Sequence, residues 1–156
     1  MASHPDLRTE WLFTIDVTIG PPQPVGRTDE GERTDYPITG GSFAGPALSG
    51  DVLPGGPDYF LMRPDGIGVL DAHYRLRVSD GTLISIRNRG LWVPSAAGLA
   101  RVKSGAEPEP HELYCRCMPE FAAPSGAHDW LNRLVTVGMV DYPQPALVRV
   151  ACFKLL

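Results

Sequence analysis

The sequence predicts an all-β fold, a single antiparallel β-barrel of about eight to ten strands with one short helix. Glycine and proline are abundant, at 17 and 16 of 156 residues, and their spread along the chain suits many short strands joined by turns. Apolar residues alternate with polar ones in several segments, which is the pattern of half-buried strands. A closed sheet of about eight strands has an interior just wide enough for side chains or one small ligand.

The chain length corresponds to one domain, which we assign to residues 1–156. Residues 1–9 are polar and predict a flexible N-terminus without the apolar core of a signal peptide. No run approaches the ~18 apolar residues of a membrane span, so we expect a cytoplasmic protein that does not bind membranes. Residues 23–35 are charged and predict a loop, and residues 94–110 predict a longer one.

The strongest strands lie at the start and the middle of the chain. From Trp11 to Ile19 every second residue is large and apolar. Residues 68–79 and 82–91 alternate in the same way, and Asp80-Gly81 between them predicts a two-residue type I′ hairpin turn. Residues 127–133 form the one good helical stretch.

Charge and cysteine content exclude several classes of function. The net charge is −4, so there is no basic surface for nucleic acid. Cys115, Cys117 and Cys152 are an odd number, which argues against a disulfide framework. Cys115 and Cys117 share a strand face, but no second Cys or His pair stands at ligand spacing. Dinucleotide, phosphate-loop and zinc-protease motifs are missing from the sequence, and we expect neither metal nor cofactor.

Polar residues inside predicted strands are the better functional signal. Asp71, His73 and Arg75 share one face of their strand, and Arg87 and Arg89 share a face of the next. If this face is the lumen, these groups surround a ligand cavity; if it is the outside, they form surface or interface ion pairs. Sequence parity leaves both arrangements open.

Cofactor-free acid–base chemistry needs a buried carboxylate as base and a donor for a developing oxyanion. Asp58 and Asp71 are the candidate bases, and a tyrosine or arginine is the candidate donor. The candidate catalytic residues are Asp58, Asp71, Tyr74 and Arg116. The candidate substrate-binding residues are Tyr36, Arg63, Arg87, Asn88, Arg89, Trp130 and Asn132. Trp130 alternatively fills the core or one end of the barrel.

Several blocks, in order along nearly the whole chain, resemble the DUF3237 family of uncharacterised bacterial and fungal proteins. The blocks are GGSFAGPALSGDVLPGGPD at 40–58, RPDG at 63–66, LDAHY at 70–74, DGTLI at 80–84, RNRG at 87–90, YCRCMPEF at 114–121 and WLNR at 130–133. The resemblance implies a barrel of the lipocalin or allene-oxide-cyclase kind, packed as a homodimer. It implies no reaction.

Two functions follow as competing hypotheses. The first is a cofactor-free isomerase, cyclase, hydratase or lyase that acts beside a carbonyl group of a small molecule. The alternative is a lipocalin-like binding protein for an aromatic or polyketide-like metabolite. A structural or assembly role is a third possibility.

Overall fold

The computed structural model describes residues 4–156, which form ten antiparallel strands and one α-helix. The strands are β1 (Thr9–Ile19), β2 (Gln23–Thr28), β3 (Gly31–Ala44), β4 (Gly50–Leu53), β5 (Pro57–Met62), β6 (Gly68–Val78), β7 (Leu83–Pro94), β8 (Leu113–Ala122), β9 (Thr136–Gln144) and β10 (Leu147–Leu155). Helix α1 spans Ala96–Lys103, and short 3-10 helices span Pro110–Glu112 and Asp129–Arg133. Over residues 4–156, no helix has the length and apolar character needed to cross a membrane.

The sheet closes because β1 pairs with β10 on one edge and with β3 on the other. From β10 the order runs through β9, β8, β7 and β6, and β4 and β5 then fill the step from β6 to β3. At Gly41, β3 approaches β1 so closely that a Cβ would lie 1.9 Å from the Asp16 carbonyl oxygen. The predicted antiparallel barrel with one short helix is confirmed, but the α-helix is not the stretch predicted as helical: residues 127–133 contain only the 3-10 helix at Asp129–Arg133.

Inward-facing residues alternate along each strand and form one core. Phe13, Ile15 and Val17 on β1 are buried, as are Leu76 on β6 and Ile84 on β7. The 3-10 helix at Asp129–Arg133 closes one end of the barrel, where Leu131 is 2% exposed.

The predicted 94–110 loop contains helix α1, so the prediction of an irregular loop there was wrong. The Ser95 hydroxyl caps the helix by accepting from the Gly98 N–H, and Arg101 is bound through its Nε to both carboxylate oxygens of buried Glu112. Ala and Arg favour helix, and the Ser cap and the ion pair fix where it lies.

Two further local predictions were wrong. Residues 23–35 form the β2–β3 hairpin rather than a loop. The turn at Asp80-Gly81 is not type I′, because only Gly81 has positive φ, whereas type I′ needs two such residues. The Gly81 N–H instead donates to Val78, and the Val78 N–H donates to Thr82, which makes a three-residue turn with a glycine bulge. Residues 1–3 of the predicted flexible N-terminus lie outside the described chain, and β1 begins at Thr9.

Candidate functional site

The barrel contains a cavity of about 560 Å³ at the end opposite the 3-10 helix at Asp129–Arg133. Its mouth lies between the segment that follows α1, through Glu107 and Pro108, and the β9–β10 hairpin tip at Pro145 and Ala146. Its walls are mainly apolar and aromatic; they include Val17, Ile38, Phe60, Leu70, Trp92, Leu113 and Val150. A volume of this size accommodates one small organic molecule.

The aromatic wall is built by edge-to-face contacts. The rings of Tyr36 and Phe60 have centroids 5.9 Å apart, and those of Phe60 and Trp92 have centroids 6.2 Å apart. Such perpendicular pairs hold each ring in a fixed orientation. One side of the cavity is therefore a rigid aromatic surface.

A row of inward residues crosses this wall and carries the polar groups. Tyr36 on β3 pairs with Asp58 on β5, Asp58 pairs with Ala72 on β6, and Ala72 pairs with Asn88 on β7. Tyr74, the next inward residue of β6, lies deeper in the barrel than Ala72. The small Ala72 side chain consequently separates Asp58 from Asn88 in one register row.

Asp58 is a carboxylate held in an apolar wall with one hydrogen bond to fix it. Its Oδ1 accepts from the Asp71 backbone N–H at 2.9 Å. Burial is the largest influence and raises the pKa of Asp58 to about 6. The neighbouring Asp71 and Asp35 carboxylates also raise the pKa, whereas the Asp71 N–H bond and His73 lower it. A carboxylate with this pKa can both accept and return a proton near neutral pH.

Three other polar side chains line the cavity in largely buried positions, those of Tyr36, Tyr74 and Asn88. Burial raises the pKa of Tyr36, with a further contribution from the Asp58 and Glu107 carboxylates. Tyr74 and Asn88 are 5% and 6% exposed. Within residues 4–156, the Tyr74 hydroxyl and the Asn88 Oδ1 have no hydrogen-bond partner. Buried polar atoms without a partner are costly, so a bound ligand that pairs with them would remove that cost.

The cavity is acidic. Asp58, Glu107 and Asp141 line it, and none of the lining residues in the described part of the chain is Lys, Arg or His. The arginines predicted to hold a substrate carboxylate therefore do not reach the lumen.

Asp71 lies on the outer face of β6, so its assignment as a base inside the cavity was wrong. Arg87 binds both of its carboxylate oxygens, at 3.1 and 3.2 Å, and the His73 Nε2 lies 2.9 Å from Oδ1. The Arg87 hydrogen bond is the largest influence and lowers the pKa of Asp71 below its ordinary value. Arg87 lies on the same outer face as Asp71. The alternate residues of β6 and β7, such as Leu76 and Ile84, are apolar and fill the core.

The remaining arginines are also outside the cavity. Arg89 pairs with Glu120 at 2.7 Å on the outer face. Arg116 donates to the Cys115 carbonyl at 2.8 Å, and its guanidinium lies 4.8 Å from the Tyr114 ring centroid. Arg63 pairs with Asp65 in the turn after β5. The structure thus places Arg116, Arg63, Arg87 and Arg89 outside this cavity.

Trp130 and Asn132 lie in the closed end, away from the cavity. Trp130 packs against the core, in accord with the alternative prediction that it fills one end of the barrel. The Asn132 side chain accepts from the Ala123 N–H and donates to the Ala123 carbonyl, each at 2.8 Å. Neither residue lines the cavity.

The cysteines are free and buried beneath the cavity. Cys115 Sγ lies 3.9 Å from the Tyr142 hydroxyl. Burial raises the pKa of Cys115 to about 12 and that of Cys117 to about 11, so both remain neutral thiols near pH 7. Across residues 4–156, no three His, Cys, Asp or Glu side chains come together as a metal site.

Sequence reasoning selected Asp58, Tyr74, Tyr36 and Asn88, and the structure brings these four together. It missed the mouth, which includes Glu107 and the hairpin tip. One signal was available for the tip: Pro145-Ala146 is a tight two-residue hairpin connection. Ala146 adopts a φ of 60°, and its carbonyl accepts from the Ile19 N–H.

Comparison with known proteins matches a family model described as "Protein of unknown function (DUF3237)" over residues 7–154. This match confirms the resemblance predicted from the sequence blocks. The UPF0311 protein of Rhodopseudomonas palustris is 33% identical over 134 residues, covering 86% of this chain and 88% of the relative.

Solved structures share the barrel. A protein of unknown function from Clostridium acetobutylicum superposes with a TM-score of 0.89 at 32% identity, covering 97% of this chain and 100% of its own. A barrel-like protein from Acinetobacter baumannii gives a TM-score of 0.85 at 29% identity, with both chains fully covered.

One relative has a named activity. The hydroalkoxylation enzyme of Penicillium herquei is 35% identical over 77 residues, 49% of this chain and 51% of the relative. A solved enzyme structure from the same organism has a TM-score of 0.71 at 23% identity and covers both chains fully, which shows a shared fold. A distant homologue in this barrel is therefore an enzyme.

Proposed function

The chain belongs to the DUF3237 family, and on that premise we propose that it is a cofactor-free enzyme of proton-transfer chemistry. In this proposal it adds a hydroxyl group across a carbon–carbon double bond beside a carbonyl, or reverses that addition. The observation that carries the proposal is Asp58, a carboxylate with a pKa of about 6 on the wall of a cavity of about 560 Å³. The hydroalkoxylation activity of the Penicillium herquei relative supports the reaction class, because hydroalkoxylation is the addition of O–H to an alkene.

The proposed step needs only groups that line the cavity. Asp58 takes the hydroxyl proton while the oxygen attacks the β-carbon of an unsaturated ketone. The π electrons move to the carbonyl oxygen, and the Tyr74 hydroxyl donates to the resulting enolate. Asp58 then returns the proton to the α-carbon, so that atoms and charge balance and the product is an isomer of the substrate.

The aromatic wall orients a flat substrate against Asp58, and the apolar lining keeps water from the enolate. The hydrogen bond from the Asp71 N–H holds the Asp58 carboxylate in one position between the two proton transfers. General acid–base catalysis by a positioned group contributes about 10²- to 10⁴-fold to a rate.

The test uses a model hydroxy-enone, 2′-hydroxychalcone, whose ring closure to flavanone is followed by absorbance. We expect the wild-type protein to accelerate closure and the Asp58→Asn variant to lose that acceleration while keeping its circular dichroism spectrum and Tm. Stabilisation of the protein by 2′-hydroxychalcone and related hydroxy-enones, with no acceleration of any of them, would contradict the proposal and favour the carrier hypothesis.

A further inference from the structure

The charge of the cavity restricts the ligand more sharply than its shape does. Asp58 and Glu107 line the space, and no lining Lys, Arg or His offsets them within the described residues. In a water-poor site at low dielectric, an anionic ligand beside an ionised carboxylate is strongly repelled. The cavity is thus built against carboxylates, phosphates and sulfates.

Two orphan polar atoms define what the ligand must present instead. The buried Asn88 Oδ1 accepts hydrogen bonds and has no donor among residues 4–156. The Tyr74 hydroxyl, equally buried, has no partner over the same residues and can donate. A ligand that carries a hydroxyl group and an acceptor oxygen satisfies both atoms without adding charge.

The register row places this polar part of the ligand. Ala72 stands between Asp58 and Asn88, with one strand spacing of about 4.8 Å to each. Asp58, Ala72 and Asn88 all line the cavity, so the space above the Ala72 methyl group adjoins a carboxylate on one side and an amide on the other. Any larger residue at position 72 would fill part of that space.

We infer that the cavity binds uncharged, hydroxyl-bearing aromatic molecules with the hydroxyl group seated over Ala72, between Asp58 and Asn88. This substrate class rests on the proposed function, since Asp58 is the group that faces the reacting hydroxyl. Ala72 is then the residue that determines access to the base.

The test compares three probes of one ring system, 2-naphthol, 2-naphthoate and naphthalene, by calorimetric titration at pH 7.5. We expect 2-naphthol to bind at least tenfold more tightly than 2-naphthoate. Tyr74→Phe should weaken 2-naphthol binding about tenfold, because one hydrogen bond is worth about that factor, and should leave naphthalene binding unchanged. Ala72→Val should also weaken 2-naphthol binding about tenfold, because the larger side chain fills the position of the hydroxyl group. Ala151→Val, the same substitution on the outer face of β10, should change nothing.

The origin of the selectivity is tested separately. Asp58→Asn should strengthen 2-naphthoate binding at least tenfold, because it removes the opposing charge and keeps the shape. Binding of 2-naphthoate within threefold of 2-naphthol, no detectable binding of 2-naphthol at 1 mM, or wild-type affinity in Ala72→Val would each overturn the inference. The proposed function fails by a different result, full hydroxy-enone turnover in Asp58→Asn, so the two failures are distinguishable.

Discussion

Asp58 and Asp71 lie on opposite faces of the same barrel wall and are joined by one hydrogen bond, yet their carboxyl groups have opposite properties. Asp58 faces the lumen, where burial raises its pKa to about 6. Asp71 faces outward, where Arg87 and His73 hold its pKa below the ordinary value. Side-chain parity, and not residue type, therefore decides which carboxylate can transfer a proton at neutral pH.

The largest expected effect separates the two aspartates by activity. Asp58→Asn should lower the hydroxy-enone closure rate by about 10²- to 10⁴-fold, since it removes the proton carrier and keeps the hydrogen bond from the Asp71 N–H. Asp71→Asn is the matched control on the outer face and should change the rate less than threefold. Equal losses of rate in both variants would contradict the claim that Asp58 alone of the two carboxylates transfers the proton.

The free energy of unfolding should depend on pH through the Asp58 carboxyl group. Because the folded-state pKa of Asp58 is raised, the ionised carboxylate destabilises the fold above pH 6, and stability is regained as pH falls towards the unfolded value near 4. Between pH 7.5 and pH 4.5 the raised pKa corresponds to a gain of about 2 kcal/mol in the free energy of unfolding. Urea unfolding between pH 7.5 and pH 4.5 should show this gain in wild type and lose it in Asp58→Asn. A parallel pH dependence in both proteins would contradict the assigned pKa.

The outer face carries an apolar band as well as charges, and the expected homodimer would use it. Leu91, Met118 and Met139 are 41%, 58% and 49% exposed. Leu91 on β7 and Met139 on β9 pair with Arg116, and Met118 is two residues further along β8. We expect Met139→Glu to raise the dimer dissociation constant at least tenfold in sedimentation equilibrium. Ser85→Glu, at the far end of β7, is the control and should leave the constant unchanged. A monomeric wild-type protein would remove this prediction.

The smallest effect concerns the outer ion pairs. Arg87→Ala should lower the free energy of unfolding only slightly at pH 7, because the pair with Asp71 is partly exposed. Since the pKa of Asp71 is lowered, this contribution is present above pH 4 and disappears as the pH falls through the folded-state pKa. Arg89→Ala breaks the more exposed pair with Glu120 and should cost less. Chemical unfolding at pH 7 and pH 3 measures both.

Much of the fold could be predicted, because alternation over segments such as Trp11–Ile19 reports strands directly. Asp58 was also predictable, as an acidic residue that follows a glycine-rich turn and enters an aromatic strand. The sequence could not predict which face of β6 and β7 lines the cavity, because each strand has a face that could bind a ligand and a face that could fill a core. Only the closure of the sheet shows that Leu76 and Ile84 fill the core and that Asp71 and Arg87 face outward.

Prediction of local structure from the sequence failed where contacts between distant residues determine that structure. Helix α1 is held by the ion pair between Arg101, within the predicted loop, and Glu112, beyond its end. The mouth likewise joins Glu107 to the distant Ala146 hairpin tip, and no sequence spacing connects them.

If Asp58 is the proton-transfer group of the cavity, its carboxyl group must titrate near neutral pH. Carbon-13 NMR of aspartate side-chain carboxyls, assigned with Asp58→Asn and Asp71→Asn, gives the pKa of each. We predict a midpoint of about 6 for Asp58 and one below the ordinary aspartate value for Asp71. An Asp58 midpoint at or below 4, or an order of the two values reversed, would contradict the account.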